Sequence, residues 1–139
     1  MTEADCEKTG LLMKECFSVP WSVEGLKEMF HTEGYCSFLA KEEEEVIGYV
    51  GMKMVLDEAD ITNVAVLPSH RKKGIAGKLL KQLLEEAKKQ NLHSIYLEVR
   101  ASNIAAVTLY EHAGFKEVGQ RKNYYDNPRE DARLMLWEA

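Results

Sequence analysis

An apolar run from Ile61 to Leu67 is stopped by Pro68 and followed by a basic, glycine-bearing stretch, Arg71 to Gly77. Leu79, Leu80, Leu83, Leu84 and Ala87 then mark one face of a helix reaching about Gln90. From His93 to Arg100 the chain alternates, with Ile95, Leu97 and Val99 on one side and Tyr96, Glu98 and Arg100 on the other, the pattern of a half-buried strand. Strand, basic turn, amphipathic helix and strand in that order form a βαβ unit. Such a unit needs a right-handed crossover and makes its two strands parallel neighbours in one sheet. Whatever else the chain does, it must build a sheet containing that parallel pair and pack a helix against it.

The flanking segments predict how the sheet is completed. Thr2 with Asp5 three residues on forms a capping-box pattern for a helix to Cys16, although Gly10 weakens it. Pro20 interrupts, and Ser22 caps a second helix carrying Val23, Leu26, Met29 and Phe30 on one face. Cys36 to Ala40 and Val46 to Leu56 read as a hairpin joined by the acidic turn Glu42 to Glu45, and Asp57 to Asp60 as a polar turn into the Ile61 strand. Downstream, Ser102 or Asn103 caps a helix to about His112, and Gly114 suits the left-handed position after it. Phe115 to Lys122 and Ala132 to Trp137 close the chain as a second hairpin. The expected fold is mixed α/β (α+β): a single domain over residues 1–139, with a twisted, mostly antiparallel sheet, one parallel pair and helices on both faces. A length of 139 residues suits one such domain.

A net charge of −5 argues against long-range attraction to nucleic acid or an anionic membrane as the main activity, so an anionic ligand must be held locally. Cys6, Cys16 and Cys36 are an odd set without C-x-x-C spacing or flanking histidine pairs. Neither a disulfide framework nor a metal site is expected from them. The start of the chain is acidic and polar, and no apolar run approaches a membrane span, so a cytoplasmic location is expected.

The stretch Arg71, Lys72, Lys73, Gly74, Ile75, Ala76, Gly77 lies where a strand gives way to a helix. Unpaired backbone N–H groups and the helix dipole make such a place an anion site, and glycines let the backbone approach an oxyanion. A solvated basic turn with ordinary helix-start glycines would account for the same residues. The pattern is neither G-x-x-x-x-G-K-[ST] nor G-x-G-x-x-G, which disfavours nucleotide hydrolysis and dinucleotide binding.

Taken with Val64-Ala65-Val66-x-Pro68 before it, the R-x-x-G-x-A run at Arg71, Gly74 and Ala76 resembles the pyrophosphate loop of the GCN5-related N-acetyltransferases (GNAT), which bind acetyl-CoA. Leu97-Glu98-Val99-Arg100-Ala101-Ser102-Asn103 and Leu109-Tyr110-Glu111 with Gly114-Phe115 look like the second signature of that superfamily, in the form carried by the ribosomal-protein alanine N-acetyltransferases (RimI). Pro20-Trp21-Ser22, Val55 to Ala59, Asn123-Tyr124-Tyr125 and Glu130-Asp131-Ala132 agree, so the likeness runs from Cys16 to the end. One departure is that family members begin with a short strand where this chain has Met1 to Asp5, so the first edge strand is expected to be missing or truncated. An exposed edge would be a pairing hazard or a dimer contact, consistent with a monomer or weak dimer.

The resemblance implies direct transfer of acetyl from acetyl-CoA to the N-terminal amine of a protein in a ternary complex, without a metal. The acceptor it implies is an N-terminal alanine of a ribosomal small-subunit protein. Acyl transfer to an amine needs a neutral nucleophile, a stabilised oxyanion and a proton for the departing thiolate. An α-amino group titrates near about 8 and a lysine amine near about 10.4, so at neutral pH roughly a tenth of the former is already neutral and only a few in ten thousand of the latter. By resemblance Glu98 is the general base and Tyr110 the general acid. A solvent-facing strand glutamate and a core aromatic are their ordinary readings. Asn103 and Tyr110, seven apart, share a helix face; Asn103 caps its helix, contacts the CoA arm, or does both. Val64, Ala65 and Val66 match positions whose backbone pairs with the pantetheine, their side chains being core. Trp21, Tyr124 and Tyr125 are candidates for the acceptor pocket, with burial in the core the alternative. His70, His93 and His112 read as surface or helix-end residues. The rival functions are acetylation of lysine side chains or a small amine, and a non-catalytic acyl-CoA-binding module.

Overall fold

The computed structural model describes residues 2–16, 22–126 and 128–139. Asp5 reaches back to the Thr2 N–H at 2.7 Å and accepts from the Thr2 hydroxyl at 3.0 Å, closing a 3-10 turn that runs into α1 (Cys6–Cys16). Gly10 does not break this helix, and a Cβ there would lie 3.0 Å from Val23 Cγ2. The glycine is what lets α2 (Val23–His31) lie close, while Ser22 Oγ accepts from the Gly25 N–H at 3.0 Å to start that helix.

The strands are β1 (Tyr35–Glu42), β2 (Glu45–Val55), β3 (Glu58–Val66), β4 (Ser94–Arg100), β5 (Lys116–Tyr125) and β6 (Glu130–Glu138). They form a six-stranded sheet in the order β1-β2-β3-β4-β6-β5, with β3 and β4 parallel and every other pair antiparallel. Among the described residues no strand precedes α1, and β1 is the edge. α3 (Ile75–Lys89) connects β3 to β4, and α4 (Ile104–His112) connects β4 to β5. The polar segment Asp57 to Asp60 is not a turn throughout. Only Leu56, at φ 58°, and Asp57 turn, and Glu58 to Asp60 pair with both β2 and β4. Glu58 and Asp60 are exposed and Ala59 is buried, so strand alternation imitates a turn's polarity. The last hairpin is also longer than expected, because β5 continues through Asn123, at φ 52°, to Tyr125.

Two cores lie against the two faces. Leu79, Leu80 and Leu83 of α3 and Val107 and Tyr110 of α4 pack with Val50, Met52, Ile95, Leu97, Val99, Met135 and Trp137. On the opposite face Leu12 and Met13 of α1 and Leu26 and Met29 of α2 pack with Val46, Tyr49 and Ala65. The alternation of β4 therefore turns Tyr96, Glu98 and Arg100 toward the α1–α2 side.

Candidate functional site

The parallel ladder between β3 and β4 is only three residues long, from Glu58↔Ser94 to Asp60↔Tyr96. It stops where β3 carries one residue too many: Ile61 pairs with Met52 and Asn63 with Gly51, which leaves Thr62 as a bulge. A bulge bends its strand and sharpens the local twist, so Thr62–Val66 and Leu97–Arg100 do not pair with one another. The bulge also reverses which side chains face which way. Ala59 and Ile61 belong to the α3–α4 core, and so does Val64, whereas Ala65 belongs to the α1–α2 core. Gly51 opposite is fixed by crowding, since a Cβ there would collide with the Tyr49 hydroxyl and sit 3.0 Å from Thr62 Oγ1.

The open mouth of this split is bordered by the start of α3. The first intrahelical bond is from the Lys78 N–H to the Gly74 carbonyl at 3.1 Å, so the N–H groups of Ile75, Ala76 and Gly77 have no acceptor within the helix. Gly74 sits at φ 78° with nothing within 4 Å of where a Cβ would be, and Lys72 is also left-handed at φ 66°. The side chain of Ile75 packs on the core. Arg71 Nε donates to the Val66 carbonyl at 3.1 Å, and Cys16 Sγ donates to the same oxygen at 3.4 Å. The first bond ties the loop, and the second the end of α1, to the end of β3, and Lys72 and Lys73 are exposed beside Arg71. At the other lip, Asn103 Oδ1 accepts from the Ala106 N–H at 3.2 Å and starts α4.

Tyr110 and Glu98 lie on opposite faces of the sheet. Tyr110 is 8% exposed and meets the Phe115 ring edge to face at 5.9 Å. Burial, with a smaller contribution from Tyr125, pushes its phenol up to about 12. Glu98 Oε1 lies 3.4 Å from Arg121 Nε, and Glu98 Oε2 is buried without a hydrogen-bond partner among the described residues. Arg121 also faces the Tyr124 ring, 5.9 Å from its centroid. Hydrogen bonding to Glu98 and then burial push the Tyr124 phenol up. Burial first, and the Glu98 charge second, push Tyr125 up to about 12.

The turn between β5 and β6 is anchored beside this group. Arg100 donates to the carbonyls of Asp126 and Pro128, both at 2.9 Å, and stacks over the Tyr125 ring at 4.6 Å. Glu130 accepts from the Ser102 N–H at 2.7 Å.

The split thus has Val64 to Val66 and Glu98 on its two strands, Tyr124 and Tyr125 near Glu98, and the Arg71 to Gly77 loop and Asn103 in the segments that follow those strands, while Tyr110 lies in the core on the other face of the sheet. Trp21 lies outside the described residues. His70 is held by Ser69 and Glu42, at 2.9 and 3.2 Å. Two surface hollows of about 380 and 360 Å³ lie elsewhere, one between α1 and β2 and one between β1 and α3, and neither is lined by Glu98 or Tyr110. Asp60 and Arg121 were not singled out by the sequence. Their relation to Glu98 depends on strand register, which no local pattern reports. Among the described residues no group of three or more potential metal ligands is found, and no helix is long and apolar enough to cross a membrane.

Residues 8–115 match the model of the acetyltransferase (GNAT) family. The ribosomal protein bS18-alanine N-acetyltransferase of Escherichia coli strain K12 is 38% identical, over 84% of this chain and 79% of that protein. The enzyme of the same description from Haemophilus influenzae is 38% identical over 94% of this chain and 90% of its own. The crystal structure of the ribosomal-protein-S18-alanine N-acetyltransferase from Escherichia coli superposes with a TM-score of 0.91 at 33% identity, covering 99% of this chain and 90% of that one.

Proposed function

Because the chain belongs to the acetyltransferase (GNAT) family, we propose that it transfers acetyl from acetyl-CoA to the N-terminal amine of a protein, its preferred acceptor being the N-terminal alanine of a ribosomal small-subunit protein. The observation that supports this reading is the unpaired stretch of β3 and β4, with Glu98 on one face of β4, Tyr110 in the core of the opposite face, and the uncapped start of α3 following β3. The acceptor class follows the relatives, whose descriptions specify the alanine of ribosomal protein bS18.

The residues present fit acetyl-CoA. A pyrophosphate suits the N–H groups of Ile75, Ala76 and Gly77, where the helix dipole favours negative charge, and Gly74 leaves open space for it. Lys72 and Lys73 supply charge at the rim. The split beside Val64, Ala65 and Val66 leaves their backbone without β4 partners, which suits the extended amide-bearing arm, and the family resemblance assigns Asn103, the cap of α4, to the same arm. When bound, acetyl-CoA supplies the activated acyl group.

Glu98 then accepts a proton from the acceptor ammonium, directly or through water, and so generates the neutral nucleophile. Tyr110, buried and protonated, donates its proton to the departing sulfur. A phenol held at about 12 is a weaker acid than an ordinary tyrosine, but the thiol whose sulfur it serves titrates near about 8.5. Proton donation therefore depends on proximity and hydrogen bonding as the sulfur becomes negative. Tyr124 and Tyr125 line the acceptor side with Glu98, and the family resemblance alone adds Trp21 to the acceptor contacts. The transfer is direct, in a ternary complex.

The test measures acetyl-CoA consumption with short peptides carrying free Ala or Ser termini and with terminus-blocked lysine peptides, locating the added acetyl by mass. Preferential acetylation of the Ala terminus is the expected result. Preferential acetylation of lysine or of a small amine would overturn the acceptor assignment. Binding of CoA without turnover on any acceptor would overturn the enzymatic one.

A further inference from the structure

Glu98 is not alone on its face of the sheet. Asp60, the last β3 residue paired with β4, stands opposite Tyr96 and therefore on the Glu98 side, one step below the split. It is exposed, yet partial desolvation first and the Glu98 charge second push its carboxyl above the ordinary range, and Arg121 opposes this. From the third side Arg121 reaches across β6. It pairs in register with Ala132, which pairs with Arg100, so the small Ala132 side chain lies beneath its path. The guanidinium ends 3.4 Å from one Glu98 oxygen while the other Glu98 oxygen stays buried and unpartnered.

The contact is single, and Arg121 is 55% exposed in its side chain. Such pairs are weak and readily exchanged. Tyr124 and Tyr125 complete the wall from β5, and Tyr96, the cross-strand partner of Asp60, precedes Glu98 on the same face of β4. A site with two carboxylates, a cation on one of them and a free carboxylate oxygen is built to take a second cation or to exchange the first.

We infer that Asp60 and Glu98 together form the seat for the acceptor's ammonium group, and that Arg121 is its place-holder, occupying Glu98 in the free protein and yielding when a cationic amine arrives. This rests on the reading of Glu98 as the residue that meets the acceptor. In this arrangement Asp60 selects the amine in its protonated form and delivers it to Glu98. Displacement of Arg121 removes the competing positive charge just when the proton must leave the amine. The seat recognises an alkylammonium group as such, whether it belongs to a chain terminus or to another amine.

The experiment follows the Arg121 Nε–H resonance while alaninamide, a cationic amine, or N-acetylalaninamide, its neutral counterpart, is added to the CoA-bound protein. Alaninamide is expected to move the resonance saturably and N-acetylalaninamide to leave it in place. Asp60→Asn should weaken the alaninamide response about fivefold, the loss of one partly screened attraction, and Asp60→Glu should restore it. With a peptide acceptor, Arg121→Gln should lower the acceptor KM while leaving the acetyl-CoA KM unchanged. An unmoved Arg121 resonance, equal responses to the two amides, or an Asp60→Asn protein that binds alaninamide as well as the parent would each overturn the proposal. So would a higher acceptor KM in Arg121→Gln, which would make Arg121 a fixed orienter of Glu98. The amine titration does not depend on turnover, so failure to acetylate Ala-terminal peptides would sink the proposed function and leave the seat standing.

Discussion

Replacing Tyr110 by Phe tests both its burial and its chemistry. In the unfolded chain this phenol titrates near about 10, whereas in the folded protein burial holds it at about 12. The folded state thus prefers the protonated form. Its advantage is complete below pH 10 and is lost as pH rises toward 12, because the unfolded chain releases its proton first. The whole interval corresponds to at most about 2.7 kcal/mol, and at pH 11, halfway through it, about 1.4 kcal/mol has been lost. With only 8% of the residue exposed, solvent screening takes little from these figures. Urea unfolding at pH 8 and pH 11 should therefore show the parent losing about 1.4 kcal/mol more than Tyr110→Phe, with Tyr125 and the other tyrosines common to both. Activity gives the second arm. At pH 10 an ordinary phenol is about half ionised and Tyr110 only about one part in a hundred, so kcat/KM should show no alkaline limb due to this group up to pH 10. Equal losses of stability in the two proteins, or a limb near pH 10 that is absent from Tyr110→Phe, would refute the reasoning.

Glu98→Gln should fold normally and reduce kcat by about 10²- to 10⁴-fold; its residual rate should climb with pH and level off above about 8, where half or more of the terminal amine is neutral without help, as a pH–rate series on an Ala-terminal peptide would show. Asp5, held down at about 2 by Lys41 at 2.7 Å and by the Thr2 cap, contributes stability that is present above about pH 3.8 and lost as pH falls toward 2. Solvent reaches the half-exposed Lys41 side of that pair, so Asp5→Asn should cost about 1 kcal/mol at neutral pH, with a difference that vanishes near pH 2 in denaturant melts. Gly74→Ala meets no atom but forces a side chain into φ 78°, at about 1–2 kcal/mol. A Tm lowered by about 2–8 °C together with a raised acetyl-CoA KM is expected, and an unchanged KM would remove Gly74 from the anion site.

The βαβ unit was legible because each of its parts announces itself locally. A buried run ends in Pro68, a helix face repeats from Leu79 to Ala87, and β4 alternates from Ile95 to Val99. Caps such as Ser22 and Asn103 were legible for the same reason, since a side-chain oxygen three residues before the N–H it satisfies is a short-range relation. Gly10 was misleading because its meaning lies in α2, a partner that local propensity does not see. Glu58 to Asp60 were misread because an exposed strand face and a turn draw on the same polar residues. The roles suggested for Glu98 and Tyr110 came from family resemblance, since a glutamate on a strand or a tyrosine on a helix is by itself ordinary. Asp60 and Arg121 stayed hidden because 61 positions separate them, and only the register through β4 and β6 brings them to the same carboxylate.

Thr62 gives the sheet one residue more on β3 than β2 can pair. Remove that residue in thought and the count becomes even: β3 straightens, the side chains from Asn63 onward keep the faces their β2 partners give them, and the ladder with β4 is free to run on past Asp60. The molecule would then gain hydrogen bonds and lose its channel. Its capacity to hold a ligand between strands is thus a deliberate incompleteness, kept open by arithmetic rather than by any side chain that a ligand would touch. A deletion of Thr62 is therefore expected to close the channel while leaving Glu98, Tyr110 and the loop after β3 in the chain.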